Sequence, residues 1–424
     1  MSITITDAER MLAADLFRRL ADGSRGALGI TRDTYGAGEQ MAHDLMIKTG
    51  RAMGLEQRID CAGNLYLTLP GRNRNLPAIM MGSHLDSVPE GGNFDGAAGV
   101  VAGMCVLASW LREGRQPQQD LTVMAIRAEE VAWFPAPYIG SRAAFGRLDA
   151  DTIYKCLRVD TKSSLGAHMM EAGFDPAPIR QGVPQIDPAG IKCWLEVHIE
   201  QGPALVVAGK PAAIVTGIRG NLRYADCVIT GRYGHAGADP REVRQDAVFA
   251  VGAFLQAMEA LWLETEAAGR DLVCTVGKLH TDPLVDTITK IPGEVRFTMD
   301  IRSADNSLLL ELDAKLREAA ADISIERRVS IELGPYTNAL PALMDPGLVA
   351  MLQAGAERLG FDLPQMPSGA GHDAAIFSNE GVPTVMIFVR NDGGSHNPDE
   401  RMELDDFAVA VALLADAVED LDSH

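Results

Sequence analysis

The sequence predicts an α/β fold built on a mixed sheet, interrupted by an inserted α+β segment. Three observations carry this expectation. Short, almost wholly apolar runs alternate with an apolar helical stretch in the first third of the chain. The pattern changes between about Ala213 and Gly334, and it returns to the first type afterwards. At 424 residues and 47% hydrophobic content, the chain can bury a large core and is long enough for more than one domain.

Taken in order, Thr6-Asp7-Ala8-Glu9 is a capping box. It opens a helix whose Leu12, Leu16 and Leu20 share one face and which Gly23 ends. Residues 64–69 alternate as a half-buried strand does, with Pro70-Gly71 closing it. Pro77 to Ser83 and Leu121 to Ala128 are apolar enough to be strands covered on both faces, and Gly96 to Leu111 between them reads as a helix. In the middle segment the expected order is strand 222–230, helix 241–266, strands 272–279 and 294–302, helix 306–321 and strand 323–333. This β-α-β-β-α-β order is the split βαβ, ferredoxin-like arrangement. Val295, Phe297, Met299 and Ile301 alternate with Arg296, Thr298, Asp300 and Arg302, as expected where only one sheet face is covered. After Gly334, Asp345-Pro346 opens a helix, 382–389 resembles a buried strand and 405–421 closes the fold as a helix. Residues 1–212 and 335–424 are thus expected to form one domain and 213–334 an inserted one.

A formal charge of -20 with no basic run argues against nucleic acid or an anionic membrane surface as partner. The opening MSITITDAER lacks the basic and apolar regions of a leader. No run of about eighteen apolar residues suggests a membrane span. A cytoplasmic protein is the resulting expectation. Six scattered cysteines form no C-x-x-C pair and read as buried thiols.

The chemistry concentrates at predicted strand ends. Gly82-Ser83-His84-Leu85-Asp86 follows one buried strand, with Asn93-Phe94-Asp95-Gly96 just beyond. Ala128-Glu129-Glu130 closes another, Val197-His198-Ile199-Glu200-Gln201 a third, and Ser395-His396-Asn397 follows the last. Open α/β sheets place ligands at the carboxyl ends of their strands. Imidazoles and carboxylates gathered there make an N/O donor set suited to zinc, manganese or cobalt.

These residues resemble the M20 metallopeptidase clan, and more narrowly its hydantoinase/carbamoylase branch of N-carbamoyl-L-amino acid hydrolases, allantoate amidohydrolases and β-ureidopropionases. GSHLDSVPEGGNFDGAAGV, EVHIEQGP, GHAGADPREVRQDA, IPGEVRFTMDIRS, MPSGAGHDA and SHNPDE occur in that branch's order. The resemblance implies two divalent ions per subunit, zinc first, with manganese, cobalt or nickel also suited. Asp95 would bridge them, His84 and His396 would complete one site, and Glu130 and His198 the other. It implies Glu129 as general base acting with a metal-bridging hydroxide, and His235 as the group that stabilises the oxyanion. It further implies a substrate held by Gln201, His235, Thr289, Arg302 and the backbone of Gly369, Ala370 and Gly371, and a homodimer formed through an inserted lid domain.

The expected activity is hydrolysis of a non-peptide C–N bond in a small N-carbamoyl, ureido or N-acyl acid. An aminopeptidase or N-acyl amino acid deacylase of the same clan is the alternative, and a non-catalytic metal-binding regulator the alternative of another class. Two departures bear on substrate: Thr289 stands where the branch carries Asn, and Val131-Ala132-Trp133-Phe134-Pro135 replaces a small, Arg-containing stretch, which suggests added apolar surface beside the site. The bland reading of Arg302 is an ion pair with Asp300. His43, His168, His280 and His424 read as core or surface histidines, His372 and Asp373 as loop-ordering residues, and Gly96 and Gly99 as helix packing.

Overall fold

The computed structural model describes residues 6–423. His424 and the first five residues, on which part of the leader expectation rests, lie outside the described residues. The chain divides into two compact units, Met1–Thr216 with Leu343–His424, and Gly217–Ala342.

The first unit is organised by a mixed sheet. Its strands β1 (Glu56–Ile59), β2 (Leu65–Leu69), β3 (Ala78–His84), β4 (Leu121–Ile126), β5 (Ile191–Ile199) and β6 (Ala212–Ile218) are joined by the strand Thr384–Val389. The order across the sheet is β1-β2-β4-β3-β5, then Thr384–Val389, then β6. β4, β3, β5 and Thr384–Val389 run parallel, while β1, β2 and β6 pair antiparallel. The parallel strands are buried almost throughout because helices cover them, which is why they read as largely apolar runs.

The helix α1 (Asp7–Ser24) opens on the Thr6–Glu9 capping box and buries Leu16 and Leu20. It runs through Gly23 to Ser24. The strand expected to be half-buried, β2, is buried apart from the half-buried Thr68: the helix α2 (Ala37–Ala52) packs on it, and the Arg58 guanidinium lies 3.7 Å from the Tyr66 ring centroid. The helix α3 (Ala97–Arg112) is almost wholly buried. At Gly99 a Cβ would come within 2.4 Å of the Val197 carbonyl, so the helix approaches β5 only because that side chain is absent.

One buried ion pair fixes the turn after β4. Arg127 Nη1 lies 2.9 Å from Glu39 Oε2, and both side chains are almost completely shielded from water. Glu39 also accepts from the Tyr35 and Ala128 amides, and Arg127 Nε donates to the Gly63 carbonyl. Removing one partner of such a pair costs about 3–5 kcal/mol, because it strands a charge away from water.

The expectation of apolar surface at 131–135 is corrected. Trp133 and Phe134 turn inward to a second core with Ile139, Leu148, Ile153 and Leu165. Trp133 Nε1 donates to the Ser87 carbonyl, and the Arg158 guanidinium sits 4.7 Å from the Trp133 ring centroid. Val131 remains exposed.

The second unit is an antiparallel sheet with one helix-covered face. Gly220–Thr230 pairs with Glu294–Ser303 at its centre. Ser330–Glu332 and Tyr336–Ala339 lie on the outer side of the first strand, and Val273–Thr275 and Leu279–His280 on the outer side of the second. The helices Ala247–Ala267 and Asn306–Arg327 bury Phe254, Leu312 and Leu316 against Tyr224, Ile229 and Phe297.

Several boundaries differ from expectation. The strand foreseen at 272–279 is two short pieces. The helix foreseen from 241 begins at Ala247, because the Asp246 carboxylate caps the Val248 and Phe249 amides. Residues 323–327 continue a helix that buries Ile323, leaving only Ser330–Glu332 extended. Contrary to the expectation of no such run, Ala247–Ala267 is long and apolar enough by composition to cross a membrane. Its buried residues Ala250, Val251 and Phe254 pack in the core of this unit with residues of the sheet.

All six cysteines are free, and five are buried. Burial pushes the Cys61 thiol up to about 11 and those of Cys193, Cys227 and Cys274 up to about 12. At pH 7.5 the native protein is therefore expected to react slowly with an aromatic disulfide reagent and to release six equivalents at once on denaturation. Rapid reaction of several thiols in the native state would contradict this packing.

Candidate metal centre

The carboxyl ends of the parallel strands converge on one site. His84 ends β3, Glu129 and Glu130 follow β4, His198 lies near the end of β5, and His396 stands in the loop after Thr384–Val389. Asp95 enters from the loop that precedes α3. Two tight backbone turns help to aim these groups: Ala128 (φ 58°) and His396 (φ 60°) are left-handed non-glycine residues, a conformation that persists only where surrounding contacts enforce it.

Asp95 is the centre of the cluster. Its Oδ1 lies 3.5 Å from His84 Nε2 and 3.3 Å from His198 Nε2, and its Oδ2 lies 3.4 Å from His396 Nε2. His396 Nε2 is also 3.4 Å from Glu130 Oε1. Two donor sets share Asp95: His84, Asp95 and His198, and Asp95, Glu130 and His396. This corrects the expected pairing of His84 with His396 and of Glu130 with His198. The reason is strand order: β3 and β5 are direct neighbours, so their terminal imidazoles meet, with ring centroids 5.8 Å apart.

The donor chemistry fits divalent cations. His84 Nδ1 lies 3.1 Å from the Asp86 carbonyl and His198 Nδ1 lies 2.9 Å from the Ile199 carbonyl. With Nδ1 donating, each ring turns an Nε2 lone pair toward Asp95. Asp95 Oδ1 is buried and accepts no hydrogen bond. Lone pairs facing one another at this range repel unless protons or a cation stand between them. Without a cation, protons serve: hydrogen bonds to Asp95 and Glu130 push His396 up to about 10. At His84 burial disfavours charge, but Asp86, Asp95 and Glu129 outweigh it and raise the ring well above its ordinary value.

Glu129 lies beside this set, its Oε2 3.8 Å from His84 Nε2. Burial, together with the nearby Glu130, Asp373 and Asp86 charges, raises its carboxyl well above the ordinary range despite the opposing effect of His84. A carboxyl group so placed is suited to take and return a proton.

Surrounding groups hold the donors in place. Asp86 accepts from the Glu129 and Glu130 amides, while Ser395 Oγ and Gln201 Nε2 each donate to Asp95 Oδ2 at 2.7 Å. Buried Glu400 accepts from the Phe94 and Asp95 amides, and buried Glu196 accepts from Ser83 Oγ, Trp194 Nε1 and the Ala374 amide. Asp86, Glu196, Glu400 and Ser395 were not foreseen as part of the site. Asp86 stands two positions after His84 and Ser395 adjoins His396, but the sequence reading assigned neither a role. His372 packs on His198, ring centroids 4.4 Å apart, and hydrogen-bonds Ser368 Oγ. Loop 369–371 is therefore held beside β5, and a Cβ on Gly371 would collide with the Tyr138 hydroxyl.

The remaining expected substrate residues belong to the second unit. His235 is exposed on the short strand Gly234–His235, and its Nδ1 accepts from the Gly237 and Ala238 amides, which leaves Nε2 as the protonated, outward nitrogen. Thr289 is exposed, and its carbonyl accepts from the Ala236 amide. Arg302 donates through Nε and Nη2 to both oxygens of Asp300, the bland pairing considered from the sequence.

Gly96 proves more than a packing residue. At φ 64° it sits against His84, and a Cβ there would come within 2.4 Å of the ring. Gly96→Ala is expected to lower stability by about 1–3 kcal/mol through overpacking and strain. It should also weaken zinc uptake, to be read by thermal melts and metal titration. Unchanged uptake would show that the imidazole does not depend on this close approach.

The profile of the family described as Peptidase family M20/M25/M40 matches residues 80–420. The chain is 35% identical over 404 residues to an N-carbamoyl-L-amino acid amidohydrolase of Geobacillus stearothermophilus, covering 94% of this chain and 96% of that protein. It is 34% identical over 396 residues to an allantoate amidohydrolase of Escherichia coli, covering 93% of each. A crystal structure of an amidase of the hydantoinase/carbamoylase family from Burkholderia multivorans superposes with a TM-score of 0.89 at 27% identity, covering 100% of this chain and 99% of that one. With this match and these relatives along nearly its whole length, the chain belongs to the M20/M25/M40 peptidase family.

Proposed function

We propose that this protein is a metal-dependent amidohydrolase that cleaves a non-peptide C–N bond in a small N-carbamoyl or ureido acid, with Glu129 as general base. One observation carries the reading: buried, unbonded Asp95 Oδ1 faces two imidazole nitrogens while the same carboxylate belongs to a second donor set. A carboxylate shared in this way suits a pair of ions bridged by Asp95, one with His84 and His198, the other with Glu130 and His396. The N/O donors favour zinc, with manganese, cobalt and nickel as chemically similar occupants. When bound, such cations polarise the scissile carbonyl and acidify a water.

The chain's own groups supply the remaining steps. Glu129 takes the water's proton and returns it to the leaving nitrogen. His235, with Nε2–H directed outward, donates to the developing oxyanion. Gln201 Oε1 is buried without a hydrogen-bond partner, so it offers an acceptor for a carbamoyl N–H. Arg302 offers a planar fork for the substrate carboxylate by exchanging Asp300 for it. Thr289 and the backbone of Gly369, Ala370 and Gly371 complete the contacts. Thr289 provides one hydroxyl where an amide would provide both donor and acceptor, which disfavours substrates needing both.

We further infer a homodimer formed through the second unit. Its helix Ala247–Ala267 leaves Val248, Phe249 (66% exposed) and Leu263 (60%) open to solvent. Free, mostly buried cysteines support a reducing, cytoplasmic setting.

Zinc-loaded protein is expected to release ammonia together with free amine from N-carbamoyl amino acids or allantoate. Amine without ammonia would select deacylation or peptide cleavage instead. Glu129→Gln should lose at least about a thousandfold in kcat, within the 10²–10⁴ range for general acid–base catalysis, with metal content unchanged. Substantial residual turnover would remove Glu129 from its role. Phe249→Glu should convert a dimer to a monomer in light scattering, and an unaffected mass would sink the assignment of that face.

A further inference from the structure

Two side chains remote from every metal-binding motif occupy the space behind the centre. Arg32 and Thr34, in the segment between α1 and α2, are both 0% exposed. Burying a guanidinium costs several kcal/mol unless its donors are met. Arg32 Nε donates to the Leu85 carbonyl at 2.6 Å, Nη1 to Asn93 Oδ1 at 3.2 Å, and Nη2 to the Asn93 and Asp95 carbonyls at 3.3 and 3.4 Å. These acceptors are carbonyl and amide oxygens, and they belong to the residue after His84 and to the loop that carries Asp95. The Arg32 backbone adds a reciprocal pair with Ser87, its amide donating to Ser87 Oγ and its carbonyl accepting from the Ser87 amide.

Thr34 acts on the other half of the centre. Its Oγ1 donates to Asp86 Oδ2 at 2.7 Å, and the same carboxylate receives the Glu129 amide at 3.1 Å and the Glu130 amide at 3.2 Å. Asp86 Oδ1 also lies 3.4 Å from His84 Nδ1. From behind, Arg158 secures the segment by bonding the Thr34 carbonyl and Asp33.

We infer that Arg32 and Thr34 are positioning residues that set the spacing of His84, Asp95, Glu129 and Glu130 before any cation binds. Arg32 ties the His84 loop to the Asp95 loop, and Thr34 orients the carboxylate that carries the Glu129–Glu130 turn. Burial disfavours the guanidinium's charge, and the Glu400, Asp95, Asp86 and Glu130 carboxylates around it work against that cost, so the opposite charges support one another in a buried site. Lysine could keep the charge but could not bridge the two loops with a rigid fork. The inference rests on the metal-centre reading above.

The test is zinc affinity of the full chain, measured by competition with a chromophoric chelator, beside thermal melts of the zinc-free proteins. Thr34→Val keeps the shape but cannot donate to Asp86, and Arg32→Lys keeps the charge. Each is expected to bind zinc at least about tenfold more weakly, the range seen when groups that orient metal ligands are removed. Thr34→Ser should restore the wild-type affinity. Leu352→Ala, in the core under the helix Pro346–Leu359, should lower the melting temperature yet leave zinc affinity unchanged. If Arg32→Lys does not fold, Thr34→Val decides. Wild-type affinity in Thr34→Val, or an equal loss in Leu352→Ala, overturns the inference while leaving the metal centre intact. Failure of the wild-type chain to take up zinc overturns the centre itself and the inference with it.

Discussion

Asp95 holds a carboxylate oxygen between two imidazole nitrogens in a buried place, and the rest of the first unit is arranged around the cost of doing so. Each imidazole has its other nitrogen committed to a backbone carbonyl, so neither ring can turn away to relieve the repulsion. Around this point stand Asp86, Glu129, Glu130, Glu196 and Glu400, all removed from bulk water to a large degree. A packed apolar core could not by itself tolerate such a concentration of like charge. Bound cations, or protons in their place, are what make it compatible with folding.

The sheet meets that cost by rigidity. Four parallel strands deliver their ends to one edge, and the loops that leave them are heavily bonded. The Glu39–Arg127 pair fixes the turn before Glu129, Asp86 receives the next two amides, and Arg32 spans the loops on the far side. Preorganisation of this kind lets a site keep groups in positions that no single one of them would prefer, because the surrounding packing has already absorbed the strain and the lost entropy.

The second unit is a different construction. Its sheet is covered on one face only; of its site candidates His235 and Thr289 are exposed, while Arg302 is half-buried on the central strand Glu294–Ser303. His235 is oriented by two backbone amides, an inexpensive way to fix a tautomer on a surface. Arg302 is held by Asp300, two positions earlier on the same face of the same strand.

The primary structure determined which residues carry donor atoms and that they stand at strand ends, since apolar runs closed by His84, Glu129–Glu130 and His198 can be read from local chemistry alone. It also determined the capping of α1 and the one-sided burial of Glu294–Ser303, both of which depend on neighbours a few positions apart. Only the tertiary structure decided that His84 joins His198 and not His396, because that follows from which strands lie side by side. Packing also decided that Trp133 and Phe134 face a core and not the site, as an apolar run has no direction until something covers it. Likewise, Ile323 belongs to a helix because the buried face of Asn306–Arg327 extends that far, and Arg32 and Thr34 matter because the fold brings them against residues more than fifty positions away. Short-range pattern records what a residue can do; which partner it meets is fixed by long-range burial, which no local window contains.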